Sequence, residues 1–401
     1  MLSIHKKDNQ LIFAGKAPSE LDNIAGGTPC YVYDRMQIKT NIIALKKVLP
    51  KKIKLHYAIK ANPMPNLVAH AANYLDGLDV ASHQELLTAL STGIQPCKVS
   101  IAGPGKTQKS LIAAIISGVV INVESKTELV RIQKLASLYK KQANVAFRIN
   151  PDFELKGAAM KMSGGPKQFG IDAEVFAELF SMVHEQSINF VGFHIFSGSQ
   201  NLSVDALLGS YRKALELAFV LSEQINVIPK QINKGGGIGI NYHSGQEPVD
   251  IKTLGLGLHE ILNELATKLI DTEVHLELGR FLVADAGMYL CKIVDVKESR
   301  GKTFWVCDGG MHHHLANSGN LGQVFRKNYP VFLANCIESE LTHHVDIVGP
   351  LCTPLDIIAS NICLPNGKIG DYVAVMLSGA YGASASPQGF LSQGEALEML
   401  I

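Results

Sequence analysis

The chain has 401 residues, 47% of them apolar and 18% charged, so it is globular with ample core, one large domain or two, and not disordered. A formal net charge of +1 gives no reason to expect nucleic acid or an anionic membrane as partner. Residues Met1 to Asp8 hold no apolar signal core, and no apolar run is long enough to span a bilayer, so the expected location is the cytoplasm. Seven scattered cysteines without a Cys-x-x-Cys pair suggest neither a disulfide framework nor a zinc ribbon, and most are expected to be buried thiols.

The first strong element is Leu55-His56-Tyr57-Ala58-Ile59-Lys60. Leu55, Tyr57 and Ile59 alternate with the other three residues, which is the period of a strand, and Asn62-Pro63 ends it. From Lys54 to Glu277 one theme then repeats: a short apolar strand, a polar or glycine-rich turn, a helical stretch. The spacing predicts strands at Lys54–Lys60, Gly77–Ala81, Lys98–Ala102, Val119–Val123, Asn144–Ile149, Phe190–Ile195, Gln231–Lys234 and Glu273–Glu277. Amphipathic runs such as Gln84–Leu90, Ser125–Tyr139 and Ser203–Ile225 lie between them. Eight strands alternating with helices are the count of a (β/α)8 barrel of about 250 residues. A doubly wound open sheet is the alternative; polar residues gathered just after the strands favour the barrel. Beyond Asp285 the texture becomes β-rich, with strands expected at Tyr289–Val296, Thr303–Cys307, His344–Val348 and Tyr372–Leu377. The expected division is a barrel over 31–285 and a β-rich domain of 1–30 and 286–401.

Four groups carry chemistry. A lysine at the mouth of a buried strand is placed to lose its proton and act as an amine nucleophile, the requirement for a Schiff base with an aldehyde cofactor, although most lysines are solvated surface charges. Gly235-Gly236-Gly237-Ile238-Gly239 follows the seventh strand and fails the dinucleotide fingerprint, because the third position is Ile240. Either its amides wrap the phosphate of a smaller cofactor, or it is a tight turn that needs positive φ. Glu277, ahead of Leu278-Gly279-Arg280, could keep a pyridine nitrogen protonated or form an internal ion pair with arginine. The segment Gly192–Gln200 adds an aromatic face at Phe196, equally suited to the core, and a hydroxyl at Ser199.

Taken in order, the motifs resemble the pyridoxal-phosphate-dependent decarboxylases of the barrel type, the family of the diaminopimelate, ornithine and arginine enzymes. They are Tyr57–Asn62, Asp79-Val80-Ala81-Ser82 with Glu85, Arg148-Ile149-Asn150-Pro151, Gln168-Phe169-Gly170, Gly198-Ser199-Gln200, the triple glycine, Glu277 with Gly279-Arg280, Gly349-Pro350-Leu351-Cys352 with Asp356, and Gly379-Ala380-Tyr381-Gly382. The resemblance implies Lys60 as the Schiff-base lysine and pyridoxal 5'-phosphate as cofactor. It implies phosphate contacts from Ser199, Gly235, Gly236, Gly237, Tyr381 and Arg280, and Glu277 at the pyridine nitrogen. Asp79, Glu85 and Arg148 would support the Lys60 side, and Phe196 would stack on the ring. Substrate contacts are implied at His194, Arg326, Tyr329, Thr353 and Asp356. A head-to-tail homodimer is implied, in which Cys352 of one subunit protonates the carbon left by carbon dioxide in the other.

Departures from the family pattern narrow the substrate. Phe196 stands where the family usually has histidine, and Leu278 replaces proline. Thr353 follows Cys352 where the diaminopimelate and ornithine enzymes place an acid for the substrate's distal ammonium. A neutral residue cannot offset the desolvation of a cation. The expected substrate is therefore an amino acid whose side chain is acylated, joined to citrate or loaded on a carrier protein. Met160–Gly165, Asp308–His314, Asn150–Gly157 and Asn317–Asn320 resemble a sub-branch with glutamyl-carrier-protein, siderophore-pathway and exosortase-associated decarboxylases. Diaminopimelate decarboxylation to L-lysine, amino-acid racemisation and a non-catalytic cofactor carrier are the alternatives. On an extended segment His312 and His314 alone could share a metal, and no nearby spacing completes a site, so no metal is expected.

Overall fold

The computed structural model describes residues 5–153, 160–161, 164–243, 245–319 and 327–401. They form two compact units, one of Asn41–Ile240 and Glu247–Phe281, the other of Met1–Thr40, Asn241–Gln246 and Leu282–Ile401.

The first unit is a closed parallel barrel. Its strands are β1 (Ile53–Ala58), β2 (Gly77–Val80), β3 (Val99–Ile101), β4 (Val120–Val123), β5 (Ala143–Asn150), β6 (Ile188–His194), β7 (Gln231–Asn233) and β8 (Glu273–Leu278). Each pairs in parallel with the next, and β8 returns to β1 with Val274 opposite Ile53 and Leu278 opposite Tyr57. A ninth short strand, Ile171–Asp172, adds to β5 outside the ring. All eight expected strands are present, and the barrel, not the open sheet, is the architecture. β1 is the main departure: the strand stops at Ala58, and Ile59–Ala61 form a 3-10 turn closed by Asn62 N–H donating to the Ile59 carbonyl at 2.9 Å.

Helix starts follow from local chemistry. Ser82 and Ser125 accept from the amides of Glu85 and Glu128, both at 3.1 Å, in Ser-x-x-Glu patterns that cap His83–Ser91 and Lys126–Leu138. Thr107 and Ser203 cap their helices in the same way. The helix after β5, Phe176–Phe180, has only five residues, and it is seated by aromatic edges. Phe176 meets Phe147 at 5.3 Å and Phe193 at 5.2 Å between ring centroids, both near T-shaped.

The second unit is β-rich. Its sheet runs Val331–Leu333, Tyr372–Val375, Gly287–Ser299, Lys302–Cys307, His343–Val348, Ile357–Leu364. Cys30–Tyr33 pairs with Gly287–Ser299, and Leu397–Leu400 pairs with Cys30–Tyr33. That pairing draws residues 31–40 into this unit, whereas the sequence reading starts the barrel at 31. The cysteines divide differently from expectation: Cys30, Cys291 and Cys307 are buried, Cys336 and Cys363 half-buried, Cys97 and Cys352 exposed.

Phe176 is fully buried. Phe176→Ala should lower stability by about 3–5 kcal/mol, read as an earlier midpoint in chemical denaturation.

Candidate active site

A parallel barrel brings the C-terminal ends of its strands to one rim, and the polar residues that follow those ends meet there. Lys60 stands in the turn after β1. Its Nζ lies 3.9 Å from Glu277 Oε1 on β8 and 5.6 Å from the centre of the Phe196 ring, which follows β6. The β8–β1 register aligns Glu277 with His56. His194, at the end of β6, sets its Nε2 3.3 Å from Glu277 Oε2, without hydrogen-bond geometry. Burial pushes the Glu277 carboxyl up, but His194, Lys60 and Arg148 together outweigh it and hold the group at about 2. Glu277 is thus held as an anion.

The glycine run follows β7. Gly235 and Gly237 take φ of +68° and +93°, which favours glycine. A Cβ on Gly235 would meet the Phe196 ring at 2.4 Å, and one on Gly236 would overlap the Glu277 carbonyl. The turn is stitched to the loop after β6. Asn201 N–H donates to the Gly237 carbonyl and its carbonyl accepts from Gly239, each at 2.9 Å. Gln200 pairs through its side-chain amide with both backbone groups of Ile240. Ser199 Oγ is buried beside this stitch with no hydrogen-bond partner among the described residues.

Asp79 is buried on β2. Its Oδ1 accepts from Ser100 Oγ at 2.5 Å and lies 3.4 Å from His56 Nδ1, while Oδ2 has no hydrogen-bond partner among the described residues. Burial opposes a charge on His56, but Asp79 outweighs it and raises the imidazole. Glu85 accepts from Ala81 N–H at 2.7 Å, and burial raises its carboxyl despite that bond and the charge of Lys60. Arg148 on β5 is paired with Glu124, Nη1 lying 3.2 Å from both oxygens, and its guanidinium covers the Phe169 ring at 4.9 Å. Lys106 joins them, 3.0 Å from Glu128 and 3.8 Å from Glu124. Burial drives Lys106 down and Glu128 up; Glu124 is held below its usual range because Arg148 and Lys106 outweigh its burial. This Arg148–Glu124–Lys106–Glu128 cluster was not singled out in the sequence. Its one signal is the Glu124-Ser125-x-x-Glu128 pattern directly after β4. Arg280 opens the short helix Arg280–Val283.

The remaining expected residues belong to the β-rich unit. Cys352 is exposed, Thr353 half-exposed, and Leu355 55% exposed. Asp356, expected at the substrate, is 2% exposed; its oxygens accept from Met311 N–H at 2.6 Å and Leu351 N–H at 2.8 Å. Tyr381 holds a left-handed φ of +55°, a strained value for a residue with a side chain. Tyr329 is buried against Tyr242, ring centroids 4.7 Å apart. His312–His314 are not extended: His313 and His314 both donate to the Gly310 carbonyl in a turn, and all three are buried. Arg326, with residues 154–159, 162–163 and 320–325, lies outside the described residues.

The barrel rim fits pyridoxal phosphate. An amine, a fixed carboxylate and an aromatic face lie within a few ångströms of one another. Among the described residues, Ser199 Oγ and His194 Nδ1 are buried without hydrogen-bond partners, ready for a polar ligand. Two consequences are measurable. Because Glu277 falls from an ordinary 4.5 to about 2 on folding, its charge contributes stability above pH 4.5 that is lost as pH drops towards 2; Glu277→Gln should flatten acid unfolding in that window. Glu124→Gln, which takes the carboxylate from Arg148 while Lys106 keeps Glu128, should cost about 3–5 kcal/mol in denaturant unfolding.

Comparison with known proteins agrees with this geometry. The family described as "Pyridoxal-dependent decarboxylase, pyridoxal binding domain" matches residues 35–284. The L-glutamyl-[BtrI acyl-carrier protein] decarboxylase of Niallia circulans is 34% identical over 379 residues, 93% of this chain and 88% of the relative. The diaminopimelate decarboxylase of Aquifex aeolicus is 31% identical over 95% of this chain and 88% of its own. The crystal structure of diaminopimelate decarboxylase from M. jannaschii in co-complex with L-lysine superposes with a TM-score of 0.90 at 28% identity, covering 100% of this chain and 92% of that one. With the rim residues, the family match and these relatives in agreement, the chain belongs to the pyridoxal-dependent decarboxylases and is a carboxy-lyase that uses pyridoxal phosphate.

Proposed function

We propose that the enzyme decarboxylates an amino acid whose side chain carries no free ammonium, either conjugated or loaded on a carrier protein. The observation that carries this reading is the Cys352 loop. Thr353, Pro354 and Leu355 are uncharged, and Asp356, the one carboxylate between Gly349 and Asp356, is buried and holds backbone amides. A substrate ammonium brought here would lose its water and gain no counter-charge from this loop. The carrier-linked relative supports the same reading; the diaminopimelate relatives make that amino acid the competing substrate.

Bound pyridoxal phosphate supplies the electron sink that makes loss of carbon dioxide possible. The chain's own residues do the rest. Lys60 Nζ binds the aldehyde, and Phe196 offers an apolar face to the ring. Glu277, held as an anion by His194, Lys60 and Arg148 despite burial, keeps the pyridine nitrogen protonated. Ser199 and Gly235–Gly237 hold the phosphate, with Arg280 and Tyr381 as further contacts. Asp79, Glu85 and Arg148 fix the Lys60 side. His194, Arg326, Tyr329 and Thr353 meet the substrate, while Asp356 positions the loop. Cys352 Sγ, from the second subunit of a homodimer, delivers a proton to the carbon that has lost its carboxylate. The enzyme works in the cytoplasm; among the described residues no helix is long and apolar enough to cross a membrane.

Carbon dioxide release from free diaminopimelate, lysine and ornithine should be at least about tenfold less efficient than from acylated or carrier-linked amino acids, and efficient turnover of free diaminopimelate would overturn the substrate reading. Borohydride reduction should fix the cofactor on Lys60 and on no other side chain. Cys352→Ala should lower kcat by about 100-fold or more with the cofactor still bound; unchanged activity would remove Cys352 from the reaction.

A further inference from the structure

Lys234 is the one residue in the glycine-turn region that the proposed chemistry leaves without a task. It follows β7 directly, is 3% exposed, and its Nζ has no hydrogen-bond partner among the described residues. A methionine would fill the same space without the desolvation penalty of an amine. What the amine touches is the face of Tyr211, on the helix Val204–Ile225, 3.4 Å from the ring centre. Burial pushes the lysine well below its ordinary range. Tyr211 is itself 2% exposed, and its hydroxyl donates to the Gly236 carbonyl at 2.6 Å.

Gly236 is the middle residue of the turn. The turn's other ties are local or come from neighbouring loops and strands: Gly235 N–H donates to Asn233 Oδ1 at 2.9 Å, Glu277 N–H to the Gly235 carbonyl at 3.0 Å, and Asn201 N–H to the Gly237 carbonyl at 2.9 Å. Tyr211 adds a tie from the surrounding helix layer. Three consecutive glycines lose the most backbone entropy of any run when they are fixed, so such a turn needs ties that hold it before the ligand arrives. A phenol held by its ring face on Lys234 and by its hydroxyl on Gly236 is such a tie.

We propose that Tyr211 and Lys234 are positioning residues that brace the phosphate-binding turn from behind and set the enzyme's affinity for the phosphate of its cofactor; the proposal rests on the reading that Gly235–Gly237 hold that phosphate. Neither side chain is among those assigned to the aldehyde or the pyridine ring, so loss of the brace acts chiefly on phosphate recognition.

The test titrates cofactor-stripped full-length protein with pyridoxal phosphate and, separately, with pyridoxal, following the visible absorbance. Tyr211→Phe removes one buried hydrogen bond and should raise the dissociation constant for pyridoxal phosphate about tenfold while leaving that for pyridoxal within about twofold. Lys234→Met, which keeps the length and packing of the side chain, should act in the same direction by about threefold, and it carries the test should Tyr211→Phe fail to fold. Variants that bind pyridoxal phosphate as tightly as the parent, or that lose both ligands in parallel, would overturn the brace. A parent protein that does not prefer pyridoxal phosphate over pyridoxal would instead overturn the phosphate assignment of the glycine turn.

Discussion

The parallel pairing of β8 with β1 is the constraint on which the site depends. It joins the last barrel strand to the first and, through the register that sets Glu277 opposite His56 and Leu278 opposite Tyr57, brings Glu277 within 3.9 Å of Lys60. A slip of one residue would turn Glu277 out of the barrel and bury Leu278 or Leu276 in its place. The apolar residues that fix this register, Leu55 and Tyr57 on β1 and Val274, Leu276 and Leu278 on β8, are almost wholly buried. Core packing and site assembly are therefore one event. Lys60 and Glu277 are brought together or not at all.

Around that pair the protein assembles charge that does not stabilise the fold by its own account. Arg148, Glu124, Lys106 and Glu128 are buried with side chains at most 8% exposed, and the removal of two cations and two anions from water offsets most of what their attraction returns. Glu124 is the hinge of the cluster. It accepts from the Gly103 and Gly170 amides, so it ties the loops after β3 and β5 to Arg148. Arg148 in turn contributes to the field that keeps Glu277 ionised. Such a network is worth its desolvation if it fixes the electrostatics of the rim before any ligand is bound, which is the form in which charge is most useful to catalysis.

The sequence shows what is decided within a few residues. Strand period, Ser-x-x-Glu caps and glycine turns are local, and the eight strands with the helices His83–Ser91 and Lys126–Leu138 fall within a residue or two of their expected ends. Lys60 is legible as the end of a motif, but its place in a turn and not on the strand depends on the hydrogen bond that closes Ile59–Asn62. What is decided between distant residues is not visible. Nothing near Glu124 announces Arg148, and nothing near Lys234 announces Tyr211. The three histidines look extended because alternation is the default for a short polar run, yet the Gly310 carbonyl gathers two of their amides into a turn. Cys30–Tyr33 joins the β-rich unit because Gly287–Ser299 offers it an edge, a pairing that no window of sequence contains.

Likeness of fold does not choose the substrate, because the diaminopimelate enzyme that superposes so well shares the barrel and the β-rich unit alike. The choice lies in whether a carboxylate is free to meet a cation. Position 356 holds an acid, and from sequence alone it could have compensated for the neutral Thr353 three residues earlier. Its surroundings rule that out. Gly310 and Gly349 crowd the carboxylate so closely that a Cβ on either would come within 2.1–2.3 Å of its oxygens, and two amides already point at it. A carboxylate enclosed by glycine backbone cannot swing out to solvent without opening the loop that bears Cys352. The acid of this loop is structural and its exposed edge is neutral, so, on the proposed reading that the substrate meets this edge, one that ends in an amide, ester or thioester loses less there than one that ends in an ammonium.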